Sequence, residues 1–225
     1  MADAAPSPCI YVLAGTNGAG KSSIAGAMFL RAGVEFFNPD QATRLIRARH
    51  PGASEADANS AAWQQGRRLL ERAIAERLTF AFETTLGGKT MTDLLERARS
   101  AGLEVRIWYV GLSSPELHVK RVRARVARGG HDIPEGQIRA RYDSSRLNLI
   151  RLLPKLTELR VYDNSAEAAP RTGVAPEPLL LLHMVRGKVV WSGVLAQTPE
   201  WAKPILATAL PGTASGSRSA APSEA

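Results

Sequence analysis

The chain has 225 residues, 44% of them hydrophobic, with 29 Lys and Arg against 21 Asp and Glu and a net charge of +8. That length suits one domain with a sizeable core, and no run of about 20 apolar residues is present to form a membrane span. Cys9 is the single cysteine, so an intramolecular disulfide is excluded and a reducing, cytoplasmic setting is expected.

Residues 1–8, MADAAPSP, lack the basic start and apolar centre of a secretory signal and read as a flexible leader. CIYVLAG is a short apolar run ending in glycine, a buried strand. Gly15-Thr16-Asn17-Gly18-Ala19-Gly20-Lys21-Ser22 follows, with Ser23 behind it, and matches G-x-x-x-x-G-K-S without a departure. In such a loop the glycines let several N–H groups point at phosphate oxygens. The helix expected from Lys21, carrying Ile24, Ala25, Met28 and Phe29, adds its positive dipole end. Lys21 is placed for the β- and γ-phosphates of a nucleotide and the Ser22 hydroxyl for Mg²⁺.

VEFFNPD reads as a second strand, stopped by Asn38-Pro39. Asp40 has two readings: a base for the proton of an acceptor hydroxyl, or the N-cap of a helix beginning QATRLIRA. A long helix is expected from about Ser54 to Arg77, with Ser54 and Asp57 spaced as a capping box. LTFAFETT is the third strand. Glu83 at its end can bind substrate hydroxyls or hold Mg²⁺ through water, and Thr84 and Thr85 can bond a substrate or cap a turn. MTDLLERARSAG is a helix, and EVRIWYVGL a fourth strand that ends without an acid, which argues against a conventional hydrolase site.

SSPELHVKRVRARVARGG starts as a helix with Ser114 as N-cap and Pro115 in the first turn, and stops at Gly129-Gly130. Arg121, Arg125 and Arg128 form one helical stripe. His131 and Asp132 read as hinge and cap before the next helix, PEGQIRARYDSSRLNLIRLL, which carries Arg139 and Arg141. Two arginine-bearing helices joined at Gly-Gly resemble a lid, about residues 113–150, that folds over phosphates. ELRVYDNS is a fifth strand, whose end at Tyr162, Asp163 and Asn164 could touch an adenine. PLLLLHMVRGKVVWSGV is a hairpin, about 178–195, turning at Arg186-Gly187, before the short helix TPEWAKPILATAL. Residues 211–225 are small, polar and proline-containing and read as a disordered tail. One domain, 9–210, remains.

Strands alternating with helices predict an α/β fold on a mostly parallel, five-stranded sheet. Ligands in such folds bind beyond the carboxyl ends of the strands, where Gly15, Asp40, Glu83 and Asp163 fall. The basic balance points to anions. Aromatic residues, 6% of the chain, do not interleave with the arginines, so a phosphorylated small molecule is favoured over nucleic acid, and a nucleic-acid-associated ATPase or switch is the alternative.

The stretches LAGTNGAGKSS, FFNPDQAT, FAFETTLGG, RVRARVARGGHDIPEGQIRARYDSSRLNL and VYDNS together resemble the zeta toxin family of P-loop kinases, in the branch of zeta-toxin-like predicted ATPases. The resemblance runs from about residue 10 to 165. It implies a three-layer kinase-like fold with a helical lid, and use of ATP and Mg²⁺. It also implies an acceptor such as a UDP-N-acetylamino sugar, phosphorylated on a hydroxyl, and a small antitoxin protein as partner. Carried over by position, Lys21 is the phosphate-binding lysine, Asp40 the base, and Glu83 and Thr84 part of the substrate site. Arg128 and Arg141 best match the pair reaching the γ-phosphate, with Arg125 and Arg139 competing. ETT followed by LGG, GGHDIP and the VVWSG hairpin depart from the best-known toxins.

Overall fold

The structure, a computed structural model, describes residues 7–21, 24, 29, 36–167 and 177–210. Five strands run parallel: β1 (Cys9–Ala14), β2 (Phe36–Phe37), β3 (Phe80–Thr84), β4 (Glu104–Gly111) and β5 (Glu158–Asp163). β6 (Leu179–Val185) and β7 (Lys188–Ser192) are antiparallel. The order is β2-β3-β1-β4-β5-β6-β7. The helices are α1 (Pro39–Arg49), α2 (Glu55–Ala75), α3 (Lys89–Ser100), α4 (Pro115–Val126), α5 (Glu135–Leu152) and α6 (Lys203–Ala209). The backbone is also helical at Lys21, Ile24 and Phe29. Ala25 and Met28, the tail at 211–225 and most of the leader lie outside the described residues.

The sheet has seven strands where five were expected. The hairpin is no appendage. β6 pairs with β5 along its whole length, from Glu158 opposite Val185 to Asp163 opposite Leu179. Without it the outer edge of β5, which carries the buried Leu159 and Val161, would leave its ladder groups unpaired. Arg186 and Gly187 turn the hairpin with φ of 49° and 76°, both positive, as a two-residue I′ turn requires.

Alternation along the strands divides the core. Val105, Ile107 and Tyr109 of β4 face one side, against Leu94 and Leu95 of α3, Leu149 and Leu152 of α5, and Trp201, Ile205 and Leu206. Trp108 and Val110 face the other, with Leu13, Ala81, Ala19 and Phe29. A third cluster, Val119, Val122 and Ile138, joins α4 to the start of α5. Only that portion of the expected lid stands apart. Further along α5 the helix belongs to the main core, where Ser145 bonds the Tyr109 hydroxyl at 3.0 Å and the Thr85 carbonyl at 2.6 Å.

Helix starts follow their caps. Ser54 accepts from the Asp57 N–H at 3.1 Å, and Ser114 from the Leu117 N–H at 3.2 Å. Asp40 is not an N-cap. α1 begins two residues earlier than expected, at Pro39, and Asn38 is the cap, its side chain accepting from the Gln41 N–H at 3.1 Å. Asp132 is not a cap either: Pro134 holds that position in α5, and the Asp132 carboxylate accepts from the Ile133 N–H at 2.8 Å.

Candidate active site

The loop after β1 curls through positive φ at Gly15, Gly18 and Gly20, a conformation side chains disfavour. Space is as strict as torsion. A Cβ on Gly15 would lie 2.1 Å from the Val110 carbonyl oxygen, and one on Gly20 would lie 2.4 Å from the Asn164 side-chain nitrogen. Two outside residues hold the curl. Asn164 donates to the Ala19 carbonyl at 2.8 Å. His118 of α4, 1% exposed, donates through Nδ1 to the Asn17 carbonyl at 2.7 Å. Burial pushes the His118 imidazole down to about 4, with Lys21, Arg121 and Arg146 adding repulsion and the bond to Asn17 opposing. The ring is therefore neutral, and Nδ1 carries its proton.

Lys21 is buried, with Nζ 2.6 Å from the Gly15 carbonyl, 3.4 Å from that of Thr16 and 3.5 Å from Glu83 Oε1. Asn38 donates to the second Glu83 oxygen at 3.1 Å. Glu83 thus stands between the cradle lysine and the cap of α1. It reaches there because β3 is the immediate neighbour of β1, with Leu13 in register with Glu83. The acid missing from the end of β4 is on the other flanking strand. Thr84 and Thr85 serve the turn, accepting from the N–H groups of Leu86 at 3.0 Å and Gly87 at 3.4 Å, and each keeps an O–H to donate.

Asp40, in the first turn of α1, is half exposed and meets Arg125 Nη1 at 3.3 Å. Arg125 also donates to the His131 carbonyl at 2.7 Å. Arg141 donates to the Asn17 side chain at 2.9 Å, while its carbonyl accepts from the Thr16 hydroxyl at 3.2 Å. Burial lowers the Arg141 pKa, and Asp40 opposes the shift. Arg121 and Arg128 line the same cleft as Lys21, Arg121 bonded to the Ala166 carbonyl and Arg128 to that of Ala124. Arg139 is not brought there. It points to the outer face of α5, paired with Glu116 at 2.6 Å and with Glu135. Asp163 is engaged by the indole N–H of Trp201 at 2.9 Å and by Ser165, so of the β5 end it is Asn164 that lines the cleft. Ser22 and Ser23 lie outside the described residues.

Two cavities meet over these groups. The first, 870 Å³, is lined by Asn17, Gly20, Lys21, Arg121, Arg125 and Arg128. The second, 860 Å³, lies under α2 and the 131–134 loop and contains Trp63, His131 and Arg141. Asn17, Pro39, Asp40, Glu83, Thr84 and Thr85 line both. The first holds the phosphate loop, with four cations against the four carboxylates Asp40, Glu83, Glu167 and Glu177; the second adjoins it and shares Asp40 and Glu83. Asn38, Trp63, His118 and His131 were not marked as site residues by sequence. His131 was read as a hinge, yet its ring sits between Glu55 and Asn59, 72 residues away from the latter. Asn38 alone left a local signal, an Asn-Pro ahead of the helix.

Solved structures with this fold include the AvrRxo1-ORF1:AvrRxo1-ORF2 complexes. The one with sulphate ions matches at a TM-score of 0.63 and 17% identity, over 90% of this chain and 64% of that one. The one with ATP matches at 0.63 and 16%, over 94% of this chain and 66% of that one. This chain therefore spans just under two thirds of those proteins. The PezAT toxin–antitoxin system of Streptococcus pneumoniae matches at 0.52 and 17%, over 71% of this chain and 69% of that one. An uncharacterised protein of Haemophilus influenzae is 31% identical over 129 residues, 57% of this chain and 88% of the relative. The zeta toxin family model matches residues 2–170, which takes in the cradle, Asp40, Glu83 and every arginine of the cleft. The chain belongs to the zeta toxin family, built on the α/β P-loop kinase scaffold.

Proposed function

We propose that the protein is an ATP-dependent kinase that transfers the γ-phosphate to a hydroxyl of a small molecule. The observation that carries this is the shared wall: Asp40 and Glu83 stand where a phosphate-binding cavity opens onto a second cavity able to hold an acceptor. Asp40 takes the proton of the acceptor hydroxyl. The hydroxyl oxygen bonds to the γ-phosphorus, the P–O bond to the β-phosphate breaks, and its electron pair leaves with ADP. Lys21 holds the β- and γ-phosphates, and Arg125, Arg128 and Arg141 steady the charge of the moving group. Among the described residues no cluster of three or more His, Cys, Asp or Glu could hold a metal. The donor set instead fits an ion shared with the nucleotide: Ser22, the nucleotide's own oxygens, and Glu83 through water. Such an ion supplies charge neutralisation on the phosphates.

The family resemblance makes a UDP-N-acetylamino sugar the first acceptor to offer, with other hydroxylated metabolites behind it, and a small antitoxin protein the first partner. The test is incubation with ATP and Mg²⁺ and a search by mass spectrometry for acceptors heavier by one phosphate. ADP formed at a rate indifferent to every acceptor would sink the proposal. Asp40→Asn should lower transfer about 10²- to 10⁴-fold while the KM for ATP stays within a few-fold. Asn38, not Asp40, caps α1, so the melting temperature should hold.

A further inference from the structure

Among the described residues, three besides glycine have positive φ: Arg77 just past α2, Arg186 in the hairpin turn, and Leu86 at 54° in the turn after β3. The first two are exposed. Leu86 is wholly buried in the main core. A leucine does not enter the left-handed region by its own preference. Contacts around it must hold it there, and residues held in this way cluster at functional sites.

The holder is one face of α5. Arg141, Ser145 and Asn148 are spaced i, i+4, i+7 and share a stripe. Asn148 donates to the Leu86 carbonyl at 2.8 Å, and Ser145 to that of Thr85 at 2.6 Å. The one Ser145 proton is used there, so its 3.0 Å contact with Tyr109 is a bond donated by the phenol. The stem of Arg141 lies against Gly87, where a Cβ would sit 2.9 Å from its Cγ. The guanidinium of Arg141 bonds Asn17 of the phosphate loop, and its carbonyl bonds Thr16. The same stripe therefore grips the phosphate loop at one end and the 84–88 turn at the other.

The turn presents two hydroxyls to the cavities. The Thr84 and Thr85 oxygens accept from the Leu86 and Gly87 N–H groups, which leaves each hydroxyl its proton. Both threonines line both cavities, and neither Ser145 nor Asn148 lines either. Resting on the kinase reading, we propose that Ser145 and Asn148 are positioning residues for the acceptor. They act through Leu86: the turn they fix aims the Thr84 and Thr85 O–H groups at oxygen atoms of the acceptor. Because the stripe also grips the phosphate loop, α5 sets the spacing between the γ-phosphate and the acceptor hydroxyl, on which in-line transfer depends.

The test is Asn148→Leu, which keeps the side-chain volume and removes the donor. The full chain and the variant are compared with ATP, Mg²⁺ and UDP-N-acetylglucosamine, or with a metabolite extract where that sugar is not phosphorylated. Amide hydrogen exchange is followed at residues 84–88. The acceptor kcat/KM should fall about tenfold while the KM for ATP stays within about twofold. The Leu86 and Gly87 N–H groups should exchange about tenfold faster. Asn148→Gln, which keeps an amide donor, should recover most of both losses. Unchanged exchange in the folded Asn148→Leu variant overturns the clamp. Faster exchange with an unchanged acceptor kcat/KM, or with an equal loss for ATP, overturns the positioning role and leaves the kinase reading standing. No phosphorylated product from the parent chain overturns that reading and the aiming of the threonines with it, while the exchange rates still decide whether Asn148 holds the turn. Should Asn148→Leu fail to fold, Asn148→Ala is judged by the same measures.

Discussion

At the residue scale, His118 ties the site to acidity. Its ring is buried and neutral, its proton given to the Asn17 carbonyl. Unfolded, the same imidazole takes a proton near 6.5; folded, it resists until about 4. Its folded value is the lower one, so between those limits the unfolded chain binds more protons and stability rises with pH. The contribution is fully present above about pH 6.5 and is lost on acidification toward 4, on the order of 3 kcal/mol in all. His118→Gln should flatten the melting temperature against pH between 6.5 and 4, relative to the parent chain. Equal slopes for the two proteins would show that the proton is accommodated elsewhere. The residues of the site differ in how legible they were. The cradle could be read outright because its eight residues are contiguous and each does its work through the local backbone. Asp40 could not be resolved, because Asn38 and Asp40 are both good caps two residues apart and only the hydrogen bond to Gln41 decides between them. Trp63, Glu55 and His131 gave no signal, since they meet only when α2 and the loop before α5 are folded together.

At the scale of elements, α4 does two jobs. Its buried face, Val119 and Val122, joins α5, while Arg125 reaches across to Asp40 and to the loop that follows. The Arg125–Asp40 pair is partly exposed on both sides, and such pairs are worth roughly 0–1 kcal/mol. Its weight is therefore expected in chemistry, not stability. Arg125→Ala should shift the melting temperature by only about 2–4 °C yet lower phosphoryl transfer about 10²-fold. Arg139→Ala, on the outer face of α5 with Glu116 and Glu135, should leave transfer unchanged. Loss of transfer in both variants would mean that the helix pair as a whole, and not the guanidinium facing Asp40, is what matters. Which arginines turn inward was hidden in the sequence. The i, i+4, i+7 spacing fixes Arg121, Arg125 and Arg128 on one stripe, but Arg139 and Arg141 sit two apart on α5 and therefore on opposite faces; only packing shows which face is which.

At the scale of the whole molecule, the family-matched segment and the folding unit do not coincide. The family model ends at residue 170, but Leu181, Leu182, Met184, Trp201, Ile205 and Leu206 lie beyond it in the main core. β6 also supplies the partner for β5. A chain cut after residue 170 should therefore fail to give a soluble protein with one cooperative melt; retention of both would mean that the sheet closes on five strands. The alternation of strands and helices revealed the parallel half of the sheet, because each crossover is local in sequence. The antiparallel extension stayed hidden. A hairpin announces its own turn, as Arg186-Gly187 does, but not the strand on which its outer edge will lie.

The wall held in common by the two cavities also has a pharmacological reading. Asn17, Pro39, Asp40, Glu83, Thr84 and Thr85 face both spaces, so no full partition of protein separates one ligand from the other. On the proposed kinase reading, a single compound with an adenosine polyphosphate at one end and an acceptor analogue at the other would span them. Its second contact would form at the high effective concentration set by a short tether. Inhibitors of this bisubstrate kind should compete with both ligands at once, and a matched half-molecule should compete with only one.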